Sequence, residues 1–226
     1  MPSNIEKRNI MRIKKDSIES LFSDIDRCIM EENTPSKYLE KYSNEPAFRD
    51  KPFDMLHALK HTEQNPKYHP EGNVWNHTKM VVDIAASLKE RSKNPKVLMW
   101  AALLHDIGKP PTTAIRKGRL TSYNHDKVGE DMARSFLQHY FTDVDFIEDV
   151  CGLVRWHMQM LFVVKQRNRS SIKRMAERVD INEMALLGYC DRMGRTNADK
   201  QNECRSVKEF LKMCREVLQM EDGSVS

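Results

Sequence analysis

Residues 100–111 read Trp100-Ala101-Ala102-Leu103-Leu104-His105-Asp106-Ile107-Gly108-Lys109-Pro110-Pro111. An apolar run suited to a buried helix ends in an adjacent histidine and aspartate. The helix is expected to open after Pro95 and to carry Val97, Leu98, Trp100, Ala101 and Leu104. It should stop at His105-Asp106, with Gly108 as its C-terminal breaker and the two prolines preventing continuation. A buried imidazole and carboxylate need compensation by hydrogen bonds or by a metal. A simple His–Asp hydrogen bond in the core would also satisfy them, so the dipeptide alone does not decide.

Working outward, His77 precedes the pair, and His125, His157 and Asp191 follow it. Each interval is longer than one ordinary helix, so the groups would converge from separate helices. Neighbours on a helix point about 100° apart. At a helix end, however, the imidazole can take one ion while the carboxylate oxygens bridge two. Nitrogen and oxygen donors without thiolate suit one or two divalent transition metals, namely manganese, iron, cobalt, nickel or zinc. A two-metal centre suits hydrolysis of phosphate esters.

The rest of the chain agrees with a helical scaffold. It has 226 residues, 39% hydrophobic and 31% charged, with only 8 Gly and 9 Pro. Sparse turn residues and abundant Leu, Met, Ala, Lys and Glu favour an all-α fold. Helices are expected over about 16–30, with Asp16 as N-cap, over short stretches near Tyr38 and over 53–60. Longer ones are expected from Asn73 or Val74 to Arg91, His125 to Tyr140, Val144 to Met158, Ser170 or Ser171 to Val179, Asn182 to Met193 and Asp199 to Met220. Residues 65–72 read as a loop, and Arg116-Lys117-Gly118-Arg119 as a hairpin turn or loop. The expected organisation is a helical appendage over 1–58, packed on a core over 59–201, then a closing amphipathic helix and frayed tail over 202–226.

No apolar run is long enough for a membrane span, and residues 1–15 lack the apolar centre of a signal peptide, so a cytoplasmic location without membrane contact is expected. The 5 cysteines show no CxxC pairing and read as reduced thiols, Cys151 and Cys190 in the core. A net charge of +4 is weak evidence for a polyanionic partner. The cations from Lys165 to Arg178 are either a solvated face or a phosphate-facing lip between His157 and Asp191.

The spaced blocks His69-Pro70-Glu71-Gly72-Asn73-Val74-Trp75-Asn76-His77, Leu104 to Pro111, Gly118 to Asp126 and Asp191 to Arg195 resemble the HD-domain superfamily of metal-dependent phosphohydrolases. The resemblance is greatest to the HD domain of bacterial tRNA nucleotidyltransferases and related stand-alone proteins, and it covers about Leu59 to Gln201. No Gly-rich loop with paired carboxylates precedes the region, so CCA addition is not implied. The resemblance implies His77, His105, Asp106 and Asp191 as ligands of a first metal. It implies His125 and His157 for a second, with Asp106 bridging.

The implied reaction is hydrolysis of a nucleotide or RNA-end phosphate ester through a metal-bound hydroxide, by phosphodiesterase or phosphomonoesterase action. Asp106 and Lys109 are the catalytic candidates, Lys109 stabilising developing negative charge. Its plainer role is that of a solvated lysine at a helix C-terminus. His69, Thr113, Arg116 and Arg155 are candidate substrate contacts, although each has a plain alternative as a turn, loop or ion-pair residue. Arg195 reads as a structural ion pair, and His57 and His61 as surface or packing residues. Rival functions are dinucleoside polyphosphate hydrolysis and, in another class, non-catalytic nucleotide or RNA binding. The expected partner is a phosphorylated small molecule, a nucleotide or an RNA end.

Overall fold

The protein is described by a computed structural model of residues 4–165 and 171–222, with side chains described over 11–165 and 171–219. It is all-α apart from one small hairpin. The helices are α1 (Asn4–Glu31), α2 (Ser36–Tyr42), α3 (Asp54–Leu59), α4 (Val74–Leu88), α5 (Pro95–Leu104), α6 (Lys109–Thr112), α7 (His125–Leu137), α8 (Val144–Trp156), α9 (Gln159–Val164), α10 (Ile172–Ala176), α11 (Ile181–Met193) and α12 (Lys200–Asp222). Strands β1 (Thr113–Arg116) and β2 (Arg119–Ser122) lie between α6 and α7.

Helix α5 is the centre of the molecule. Every residue from Val97 to Leu104 is buried, and α1, α4, α8 and α11 pack around it. A helix that is apolar all round must be covered all round, and this one delivers its last turn to the middle of the fold. Asn94 caps it by accepting from the Val97 amide, with Pro95 in the first turn.

The surrounding helices begin where side-chain caps start them. Asn73 accepts from the Asn76 amide at α4, and Asp143 from the Phe146 amide at α8. Asp180 accepts from the Asn182 and Glu183 amides at α11. Helix α1 seats Leu21, Ile25 and Ile29 in the same apolar cluster as α4, α5 and α8. Asp26 also accepts a 2.9 Å hydrogen bond from the Trp100 indole of α5.

The first helix starts at Asn4, not at the expected Asp16. Nothing between 4 and 15 breaks a helix, and Asp16 is exposed mid-helix, 4.0 Å from Arg12. The apolar spacing that suggested Asp16 marks only where the core-facing stripe begins. The 116–119 segment is a hairpin turn: Lys117 and Gly118 both have positive φ, 50° and 71°, between paired strands. That is the pattern of a tight two-residue turn.

Gly108 also plays a different part. Its φ is −81°, so it is not a left-handed helix terminator. A Cβ there would lie 2.1 Å from the His125 carbonyl oxygen and 2.5 Å from the Gly129 amide nitrogen. Gly108 is therefore the gap through which α7 closes on the end of α5. Pro110 and Pro111 do not end helical structure but sit in the first turn of α6, where a missing N–H costs nothing. The four cysteines Cys28, Cys151, Cys190 and Cys214 are buried thiols, and Cys204 is exposed. Among the described residues no helix is long and apolar enough to cross a membrane.

Candidate metal centre

His105 and Asp106 follow the last residue of α5, and both are almost fully buried. His77 arrives from the first turn of α4, His125 from the start of α7, His157 from just after α8, and Asp191 from the last turn of α11. All six side chains meet in one place. Two trios of ligand atoms, each within 4.8 Å of one another, share a member: His77, His105 and Asp106 on one side, and Asp106, His125 and His157 on the other. Asp106 Oδ1 is 3.5 Å from His125 Nε2 and 3.7 Å from His157 Nε2. Its Oδ2 is 3.2 Å from His105 Nε2 and 3.9 Å from His77 Nε2. Asp191 joins through His77, its Oδ1 lying 3.0 Å from Nε2.

The outward-facing nitrogens are held from behind. His105, His125 and His157 each place Nδ1 on a backbone oxygen, of Ala102, Ser122 and Val154, at 2.8, 2.6 and 2.7 Å. Backbone acceptance makes Nδ1 the donor, which leaves Nε2 as the lone-pair nitrogen turned inward. His77 Nδ1 meets the Gly194 carbonyl at 3.2 Å and Glu71 Oε1 at 3.1 Å. Arg195 contacts both oxygens of Asp191 at 3.3 Å.

Electrostatics favour this set in its metal-accepting form. Burial holds His125 below its ordinary value. Burial, followed by repulsion from His125, takes His157 down to about 4. Both are neutral near pH 7. Burial works against ionisation of Asp106 and Asp191, but nearby cations prevail. Lys109 and then His105 hold Asp106 well below the carboxylate range, and Arg195 and His77 do the same for Asp191. Glu71 is likewise buried, yet hydrogen bonds from His77 and His69 bring it to about 2.

Two atoms at the meeting point have no hydrogen-bond partner, His105 Nε2 and Asp106 Oδ2. Lys109 Nζ is 2.7 Å from that Oδ2, a charge contact without hydrogen-bond alignment. Buried polar atoms are nearly always satisfied. Two such atoms facing each other amid imidazole nitrogens fit a missing cation, so the residues present suit a divalent metal.

The centre forms part of the wall of an open cavity of about 560 Å³. His69 and Lys109 line it, Lys109 donating to Gln64 Oε1 at 2.6 Å. The other three expected substrate contacts are absent from its lining. Thr113 donates to the Lys109 carbonyl and shares a hydrogen bond with Ser122. Arg116 donates to Thr121 and lies over the Tyr123 ring. Arg155 donates to Asp126 at 2.5 Å and packs on Trp156. The basic segment joins the cavity through Lys165, while Arg167 and Arg169 lie outside the described residues.

Sequence reading passed over Gln64, which anchors Lys109, and the whole of α9, whose Leu161 and Phe162 line the cavity. Helix α9 is short and apolar on both sides, so it carries no periodicity to detect. His57 and His61 stand with their rings 5.0 Å apart and take no part in any ligand cluster found among the described residues.

The HD domain family model matches residues 74–192, just over half of the chain and the span that carries all six groups. The chain belongs to the HD domain family. Its HD pair is His105-Asp106. Among curated proteins it is similar to the Multifunctional CCA protein of Hahella chejuensis, 26% identical over 191 residues, 81% of this chain and 44% of that protein. It also resembles the Multifunctional CCA protein of Pasteurella multocida, at 29% over 169 residues, 70% of this chain and 39% of that one. A third, from Actinobacillus pleuropneumoniae serotype 5b, is 30% identical over 122 residues, 54% of this chain and 28% of its own length. The HD chain spans less than half the length of these relatives.

Proposed function

We propose that the protein is a metal-dependent phosphohydrolase acting on a nucleotide or RNA-end phosphate ester. The observation that carries the reading is the pair of trios sharing Asp106, with two unsatisfied buried atoms at their junction. The likeness to Multifunctional CCA proteins points the substrate toward nucleotides or RNA ends.

In this proposal His77, His105, Asp106 and Asp191 hold one ion, and Asp106, His125 and His157 a second. Bound divalent ions at such a centre lower the pKa of water and polarise phosphate oxygens. The chain's own groups do the rest. Lys109, fixed between Gln64 and Asp106, holds a positive charge at the cavity wall where a phosphate oxygen gains negative charge in the transition state. His69, tied to Glu71 at 2.8 Å, presents its other ring nitrogen as a hydrogen-bonding group for the ester. Arg195 and Glu71 keep Asp191 and His77 in place from behind.

The test is a panel of cyclic nucleotides, nucleoside monophosphates and dinucleoside polyphosphates offered to manganese- or iron-loaded protein. Metal-dependent release of phosphate or nucleotide supports the proposal. Binding without turnover across the panel would move the protein to the class of regulators.

Two variants probe the division of labour. Lys109→Ala should keep its metal and lose about 10²–10³-fold in kcat, the usual effect of removing one charge-stabilising donor. Loss of metal with kcat would instead make Lys109 a structural partner of Asp106. His125→Ala and His157→Ala should each lower the metal-to-protein ratio while the His77 side stays loaded. An unchanged ratio in both, measured by inductively coupled plasma mass spectrometry, would leave a one-metal centre.

A further inference from the structure

The cavity is chemically lopsided. Beside His77 it is lined by Gln64, Asn65, His69, Lys109 and Arg195. The stretches adjoining His125 and His157 in the chain contribute Leu120, Tyr123, Met158, Leu161 and Phe162. Helix α9 explains the second half. Met160 and Val163 are buried in the core, while Leu161 and Phe162 are only partly buried and stand apart from the apolar residues packed on that core. Among the described residues Phe162 has no aromatic neighbour. A helix apolar on both sides needs an apolar partner on both, and on this side the partner is the cavity.

We infer that Leu161, Phe162 and Tyr123 form a nucleobase slot, the specificity-determining end of the cavity whose other end holds the phosphate ester. The inference deepens the phosphohydrolase reading and rests on it. Three features fit a base better than an acyl chain. The slot offers aromatic faces from two elements, Phe162 on α9 and Tyr123 after β2, and Tyr123 is 64% exposed with Arg116 against its ring. Stacked aromatic and guanidinium groups of this kind bind the π-face of any base. Asn124, next to Tyr123, lines the same cavity and gives its helix no side-chain cap. Its amide is therefore available both to donate and to accept, which suits the edge of a base. A cavity of about 560 Å³ has room for a whole nucleotide.

Adenosine 5′-monophosphate and ribose 5-phosphate separate the slot from the phosphate end, because they differ only by the base. Calorimetric binding to manganese-loaded protein should favour the nucleotide. Phe162→Ala should weaken it about ten- to thirtyfold, the range of one lost stacking partner, and leave ribose 5-phosphate and metal content unchanged. Phe162→Trp should restore the nucleotide. Tyr123→Ala, on an exposed side chain of an independent element, should act in the same direction. Equal affinity for the two probes in the wild type, or equal loss of both in Phe162→Ala, would overturn the slot and leave the phosphohydrolase reading standing. Binding of neither probe by metal-loaded protein would overturn both.

Discussion

Asp106→Ala is expected to empty the centre of metal and to lower phosphoester turnover by at least about three orders of magnitude, because the polarising charges act only where this carboxylate holds them. The same substitution should leave the stability of the metal-free protein within about 1 kcal/mol of wild type, or raise it. The two expectations belong together. If Asp106 were a structural core residue, its removal would break a buried ion pair and cost about 3–5 kcal/mol. Here its Oδ2 has no hydrogen bond to lose, and Lys109 retains Gln64 and the open cavity. Chemical denaturation of chelator-treated protein, set beside metal analysis, reads both quantities. Large destabilisation with metal retained would return the pair to a purely structural role.

The second large effect is expected away from any ligand. Gly108→Ala should destabilise the protein by about 3 kcal/mol, at the upper end of overpacking penalties. The new methyl would meet backbone atoms of His125 and Gly129, which cannot rotate aside. Relief requires α7 to retreat from the end of α5, which carries His125 away from Asp106. The metal content is therefore expected to fall on the His125–His157 side as stability falls. Gly118→Ala is the control: its hairpin position has open space around a Cβ and only a positive φ to oppose it, so its cost should be about 1 kcal/mol with metal unchanged. Equal effects at the two glycines, followed by urea unfolding and metal analysis, would show that close helix approach is not what Gly108 provides.

The helical class and the convergence of His77, His105, Asp106, His125, His157 and Asp191 were legible because each group sits at an element boundary marked by composition. Asn73 opens α4 just before His77, and the apolar run of α5 ends at the HD pair. What was not legible depends on three-dimensional neighbours. Gly108 looks like a helix stop in sequence, and only the proximity of α7 reveals it as a contact. Arg155 and Arg116 look like anion binders by residue type, yet Asp126 and Thr121 occupy them. Gln64 carries no motif and matters only because Lys109 reaches it. Helix α9 has two apolar faces, so periodicity could not say that one of them faces a cavity.

The central claim is that Asp106 joins two metal positions. Anomalous diffraction from crystals soaked in manganese tests it most directly. The account predicts two peaks flanking the Asp106 carboxylate, one toward His77 and His105 and one toward His125 and His157. No peak beside Asp106, with manganese bound elsewhere or not at all, would contradict it.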